Sequence, residues 1–121
     1  MEKDIENMQR DMNLIRLLLL DIESVEEVDL SEYTEEQIGY HRYLLLEAGL
    51  ASGSDVIGSG MKYPEAILTS LTWEGHDFLD AARNESVWKK ALGKLSGSGG
   101  SFTFDVLKAI LIATIKNELG I

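Results

Sequence analysis

His76 and Asp80 stand four residues apart on a stretch that reads as one helical face, with Glu74 and Asp77 beside them. Such a group would let a carboxylate orient an imidazole for proton transfer, or would supply part of a metal site. No nucleophile accompanies it at a recognisable spacing, the only other histidine is His41, and the chain contains no cysteine. A helix-surface hydrogen bond accounts for the pair. The carboxylates between Asp21 and Glu36 lack the spacing and central glycine of a calcium loop. The expectation is therefore a protein that is not an enzyme and that holds no metal or cofactor.

Two other sets of residues are suited to binding. Gln37, His41 and Arg42 fall on a stretch with strong helix signals, and their side chains can reach base edges or phosphates in a major groove. Lys62, near the tip of an expected hairpin, and Lys89, Lys90 and Lys94 after it would add phosphate contacts. Against this stands the acidic set Glu26, Glu27, Asp29 and Glu32, which would repel nucleic acid and attract a basic protein, as in a DNA mimic or an inhibitor of a DNA-binding enzyme. The net charge is −10 over 121 residues. Residues 1–36 hold twelve Asp or Glu against Lys3, Arg10 and Arg16, whereas residues 37–121 hold nine acids against eight bases. The acidity thus belongs to the N-terminal third, and Asp21 to Glu36 alone carries eight acids and no base. Duplex DNA and a basic host or phage protein are the two expected partners.

The elements that must carry these residues follow from periodicity. Met8, Met12, Ile15, Leu19 and Ile22 recur at three and four residues and predict a helix. Ser24 to Tyr33 shows no helical stripe and reads as a loop with room for a short strand. Thr34 opens the best-marked helix: Gln37 occupies the reciprocal capping-box position, Glu35 and Glu36 suit the positive end of the dipole, and Ile38, Leu45 and Ala48 form an inner stripe. Gly49 should end it in a left-handed turn, with Leu50 folding back. Residues 51–66, rich in glycine and serine and holding the single proline, Pro64, predict a hairpin with a long tip. Thr72 caps the next helix, with Gly75, Phe78, Leu79 and Ala82 pointing one way and Trp73 expected in the core. Asn84 caps another helical segment through Val87, Trp88 and Leu92. After the Gly/Ser stretch, Thr103 starts a last helix with the stripe Phe104, Leu107, Ile110, Leu111 and Ile115.

This order of elements, a helix, a capped helix ending in Glu47-Ala48-Gly49-Leu50, a Gly-rich hairpin and a threonine-capped helix, predicts an α+β, mostly α, winged helix-turn-helix-like domain with additional C-terminal helices. The usual short helix before the presenting helix has no clear counterpart between Asp21 and Tyr33. The chain resembles a family of short bacterial, phage and prophage proteins of unknown function classed as winged-helix-like. The resemblance rests on Arg10-Asp11-Met12-Asn13-Leu14-Ile15-Arg16, on Ile38-Gly39-Tyr40-His41 through Glu47-Ala48-Gly49-Leu50, on Leu71-Thr72-Trp73-Glu74-Gly75-His76-Asp77-Phe78-Leu79-Asp80-Ala81-Ala82-Arg83, and on Phe104-Asp105-Val106-Leu107-Lys108. It implies the fold and a phage or prophage association, and carries no activity or site with it.

The expected organisation is a winged-helix-like domain over 1–95, a Gly/Ser hinge over 96–101, and an apolar helix over 102–121 that packs on the domain or pairs with another chain. Leu107, Ile110, Leu111 and Ile115 are the expected contacts of a homodimer. Apolar runs such as Leu17 to Leu20 are too short to cross a bilayer, so no membrane association is expected. The absence of cysteine and of a signal peptide favours a cytoplasmic location. Two functions suit these features: a DNA-binding transcriptional regulator of phage or prophage type, and a protein-binding adaptor or inhibitor that uses the acidic third.

Overall fold

The stripe from Met12 to Ile22 winds into helix α1 (Met12–Glu23), which is capped by Asp11; Met8, expected in the same stripe, lies before the helix. The Asp11 carboxylate accepts from the backbone N–H groups of Asn13 and Leu14 at 2.9 and 3.2 Å, satisfying two of the donors a first turn leaves orphaned. Met12, Leu14, Ile15, Leu18 and Leu19 are buried, so the inner arc is wider than the expected stripe and Ile22 sits only half-buried at its edge. The structure, a computed structural model, describes residues 8–23, 27–97 and 102–121. Glu26, Ser24 and Val25 of the acidic stretch and positions 98–101 of the Gly/Ser hinge lie outside the described residues. No strand forms over 27–33; Leu30 to Tyr33 is a turn closed by the Tyr33 N–H on the Leu30 carbonyl at 3.1 Å.

Helix α2 (Glu35–Glu47) begins with a complete capping box: Thr34 Oγ accepts from the Gln37 N–H at 3.0 Å, and Gln37 Oε1 accepts from the Thr34 N–H at 2.9 Å. At its other end Gly49 takes φ +76°, the Gly49 N–H donates to the Leu46 carbonyl and the Leu50 N–H to the Leu45 carbonyl. That pattern is a Schellman closure, and it brings the buried Leu50 back over the buried Leu45. Ala48, expected in the inner stripe, is exposed because the closure turns the chain away at that position.

Strands β1 (Ala51–Val56) and β2 (Glu65–Leu71) pair antiparallel, Ala51 opposite Leu71 and Val56 opposite Glu65, with an irregularity between Ser52 and Gly53. Thr72 ties the sheet to the next helix: its hydroxyl donates to the Gly49 carbonyl at 2.6 Å and accepts from the Gly75 N–H at 3.0 Å. Helix α3 (Trp73–Ala82) can lie this close to the α2 closure only with glycine at 75, since a Cβ there would collide with the Leu50 carbonyl oxygen. Trp73, expected in the core, is 80% exposed: it is the first residue of the helix, on the side opposite the buried Gly75.

The chain divides into two compact units, Met1–His76 and Asp77–Ile121, with the division inside α3. In the first unit α1, α2 and the sheet pack on one another around Leu14, Leu18, Leu19, Leu45 and Ala66. In the second, helix α4 (Glu85–Ser96), capped by Asn84, packs on helix α5 (Phe104–Leu119), capped by Thr103. Phe78 meets Trp88 edge-on at 6.4 Å and Phe104 at 4.7 Å between ring centroids. Residues 85–95 therefore group with the C-terminal helix, and the structure divides at 76/77 where the sequence suggested the Gly/Ser stretch. The fold is α+β and mostly helical, five helices and one two-stranded antiparallel sheet among the described residues. No helix among them is long and apolar enough to cross a membrane.

Candidate functional site

Helix α2 carries three of the residues expected to bind DNA, and its neighbours decide what each can do. His41 is fully buried. The Asp11 N–H donates to His41 Nε2 at 2.8 Å, so that nitrogen must be an acceptor, and Nδ1 therefore carries the proton and donates to the Gln37 carbonyl at 2.8 Å. Burial pushes the His41 pKa down, while the Gln37 carbonyl and the Asp11 carboxylate pull it back. The ring is a neutral tie between the cap of α1 and α2. It has no surface with which to reach a ligand, which corrects its expected place among the DNA contacts: His41 falls on the stripe with Leu45 that α2 turns inward.

Gln37 spends its side-chain oxygen on the capping box. Arg42 points along the flank of α2 that faces β2, with its Nη2 at 3.9 Å from Asp21 Oδ2 and both side chains about 40% exposed. The remaining arc holds Glu36, Tyr40, Tyr43 and Glu47, all at least partly exposed, and no cation. Tyr40 lies over Tyr43 with centroids 6.3 Å apart and meets Tyr63 at 5.2 Å. The Tyr43 hydroxyl is pushed up by burial and then by the carboxylates of Glu47 and Asp55. This arc is aromatic and acidic.

Beside Arg42 runs an open groove, formed by two adjoining hollows of about 360 and 420 Å³ that share Arg42, Ala66 and Ile67. Its walls are apolar where Ile22, Leu30 and Ile38 contribute, and its charges are Arg42 against Asp21, Glu35 and Glu65. Gly39 makes room for the Glu65 side chain, which lies where a Cβ on α2 would otherwise project. Ile67 reaches into the groove from β2 and is 66% exposed. Sequence reasoning missed this groove. An isoleucine at a strand position usually signals a buried face, and nothing local to Ile67 says that its face stays open.

The other expected contacts are scattered. Lys62 is exposed in the hairpin turn. In the second unit, Lys89 pairs with Glu85 at 3.5 Å and Lys90 with Glu118, while Lys94 donates to the Thr114 hydroxyl at 3.1 Å. Glu27, Asp29 and Glu32 are exposed in the segment between α1 and α2. The Ser31 hydroxyl and N–H hold the Asp29 carboxyl below its ordinary range. Leu107 and Leu111 are fully buried within the chain, which removes them as a surface for a second copy; Ile110 and Ile115 are half-buried, and the exposed large apolar residues of α5 are Val106, Ile112 and Leu119. Asp80 accepts from Arg83 at 3.0 Å on the surface of α3, and His76 is exposed. Among the described residues no three His, Asp or Glu side chains are grouped to hold a metal ion.

Comparison with known proteins adds a lineage. Residues 9–101 match the family described as "Hypothetical protein (DUF2513)". The chain belongs to that family. It is also 30% identical over 119 residues to an "Uncharacterized protein" of Haemophilus influenzae, covering 93% of this chain and 99% of that protein. No solved structure matches. The family match takes in the cap at Asp11, all of α2, the groove and the Thr72 tie, so the features that shape the candidate site lie inside the shared region.

Proposed function

We propose that the first unit is a variant winged helix, with α2 as the presenting helix and β1–β2 as the wing, and that it serves as a non-enzymatic module binding a basic protein. The phage or prophage association implied by the sequence resemblance belongs to the same reading. The winged-helix part is supported by the order of α1, α2, the hairpin and the threonine-capped α3. The protein-binding part is supported chiefly by one observation: the exposed arc of α2 carries Glu36, Tyr40, Tyr43 and Glu47, while its histidine is buried and its arginine faces Asp21. A helix that enters a major groove needs cations and base-reading donors on its outer face. This one offers carboxylates and tyrosines, a composition that suits a protein interface, where tyrosine anchors contacts and charge steers the encounter.

The competing reading is a duplex-DNA regulator that contacts phosphates through Arg42 and Lys62. The two are separated by measuring both ligands on one preparation. The protein-binding reading expects no binding to specific or random duplex at low salt. It also expects capture of a basic protein from cell extract that, once purified, rebinds at one-to-one stoichiometry and is lost when Glu27, Asp29 and Glu32 are changed to glutamine. Salt-dependent duplex binding that disappears in Arg42→Ala or Lys62→Ala overturns it in favour of the regulator.

A further inference from the structure

We infer that the outer face of α5 pairs with the same face of a second copy of this chain, the two helices running antiparallel. The observation comes from the second unit and stands apart from the protein-binding reading of the first. Helix α5 turns Leu107, Leu111 and Thr114 inward, where they are buried, and its Glu118 receives Lys90 of α4. At about 100° per residue the opposite side falls on Asp105, Ala109, Ile112, Lys116 and Leu119, which recur at four, three, four and three residues. All five are exposed, Ile112 by 41% and Leu119 by 67%, and Val106 and Ala113 are exposed on one flank. The outside of α5 therefore carries the spacing of a seam between two helices, with a carboxylate near one end, an ammonium near the other and apolar side chains between them.

The order of those side chains names the occupant. A two-fold axis midway between Ala109 and Ile112 sets each of them beside the other in the second copy. The same axis lies midway between Asp105 and Lys116, so each Asp105 meets the second copy's Lys116 and both charges are matched at once. A parallel pair would set aspartate beside aspartate and lysine beside lysine, and would align the two helix dipoles where the antiparallel pair opposes them. A face for an unrelated partner is under no demand to carry its charges mirrored about its own apolar centre; a self-pairing face is. Ala109 at the crossing lets the helices approach closely, and Ile112 fills the space beside it. The exposed ion pairs set direction more than they add affinity. Sixteen residues make a helix about 24 Å long, which buries less than the roughly 800 Å² per partner of a standard interface. The pairing should accordingly be weak, with a dissociation constant on the order of 100 µM.

The test is sedimentation of the full chain from about 5 to 500 µM, over which the average mass should rise from that of one chain toward that of two. Ile112→Lys, which brings two ammonium groups together at the axis, should weaken self-association by about tenfold or more. Its melting midpoint at low micromolar protein should not change, since the side chain is already exposed. Single cysteines then report the direction, because the chain has none of its own. In the antiparallel pair two copies of Ala109→Cys lie about 4.5 Å apart along the axis and within disulfide reach, whereas two copies of Asp105→Cys lie about 16.5 Å apart and out of reach. In a glutathione redox buffer Ala109→Cys should therefore form a disulfide dimer and Asp105→Cys should not. An equal mixture of Asp105→Cys and Lys116→Cys chains should form the mixed dimer.

A mass that stays at one chain up to about 500 µM overturns the inference, and so does self-association that survives Ile112→Lys. Disulfide dimers of Asp105→Cys without those of Ala109→Cys show a parallel pair and overturn the antiparallel one. A chain that self-associates while neither cysteine cross-links makes its contact elsewhere, which overturns the assignment to α5. The protein-binding reading of the first unit stands or falls separately, on the duplex and basic-protein measurements.

Discussion

Mild acid should loosen the first unit through His41 before the carboxylates begin to titrate. The ring is fully buried, and both nitrogens are committed: Nε2 accepts from the Asp11 N–H and Nδ1 donates to the Gln37 carbonyl, each at 2.8 Å. The groups that face it are those two, the Asp11 carboxylate, Arg10, and the Tyr40 ring edge-on at 5.9 Å. A second proton would place an N–H directly against the Asp11 N–H. Burial is the largest influence and lowers the pKa, Arg10 adds to it, and the carbonyl and carboxylate oppose it. In the unfolded chain the same histidine titrates near its ordinary value of about 6.5. Below that pH the unfolded state takes up a proton that the folded state refuses, so stability falls as pH falls, by up to about 1.4 kcal/mol per pH unit, and levels off once the folded ring is protonated as well. Urea denaturation at a series of pH values from about 7.5 to 5.5 measures this. The control is His41→Gln, which keeps an acceptor for the Asp11 N–H and cannot titrate, so that the exposed His76 and all the carboxylates cancel in the difference. His41→Ala should cost about 1–3 kcal/mol at neutral pH for the orphaned Asp11 N–H, and more for the emptied volume. If the native protein and His41→Gln lose stability in parallel over this range, the ring is not held neutral and the tie between α1 and α2 is not made as described.

Three shorter predictions follow from packing. Gly75→Ala should destabilise by ~2 kcal/mol or more, because the new methyl meets the Leu50 carbonyl and not a side chain that can swing aside; thermal denaturation by circular dichroism reads it. Leu107→Ala should cost about 2–5 kcal/mol in urea denaturation, since the residue is buried within one chain; a cost under about 0.5 kcal/mol, that of a surface position, would restore the dimer contact expected from sequence. Arg42→Ala should change stability by less than about 0.5 kcal/mol, as expected for a long, half-exposed ion pair at 3.9 Å, so any effect it has on binding reads directly as a ligand effect in chemical denaturation controls.

Local chemistry was legible in the sequence wherever a few neighbouring residues settle the outcome. Thr34 and Gln37 announce the start of α2, Gly49 and Leu50 its closure, and Thr72, Asn84 and Thr103 the starts of three further helices, because each cap depends on atoms within a few positions. Burial was read less well, since it depends on partners distant in sequence. Trp73 looks like core by residue type and is 80% exposed because Gly75 is the residue that meets the α2 closure. Leu107 and Leu111 look like spare apolar surface until α4 is seen to pack on α5. His41 reads as a groove contact from its place on a presenting helix, and only the position of Asp11, thirty residues away, makes it a buried tie.

The functional consequence turns on how α2 apportions its circumference. With Gln37, His41 and Arg42 within six residues, the sequence admits a helix that reads DNA. The fold spends Gln37 on the cap, buries His41 against α1 and sets Arg42 on the flank beside β2, because Leu45 and the α1 leucines fix which stripe faces inward. The stripe left exposed is then determined by a helical repeat of three and four: Glu36, Tyr40, Tyr43 and Glu47. Turning α2 by a third of a revolution to present Arg42 would bury Glu36 or Glu47 and expose Leu45, a rearrangement that costs more than a phosphate contact returns. The hydrophobic stripe that builds the core is therefore also what selects the surface, and it is on that surface of carboxylates and tyrosines that the proposed protein-binding function rests.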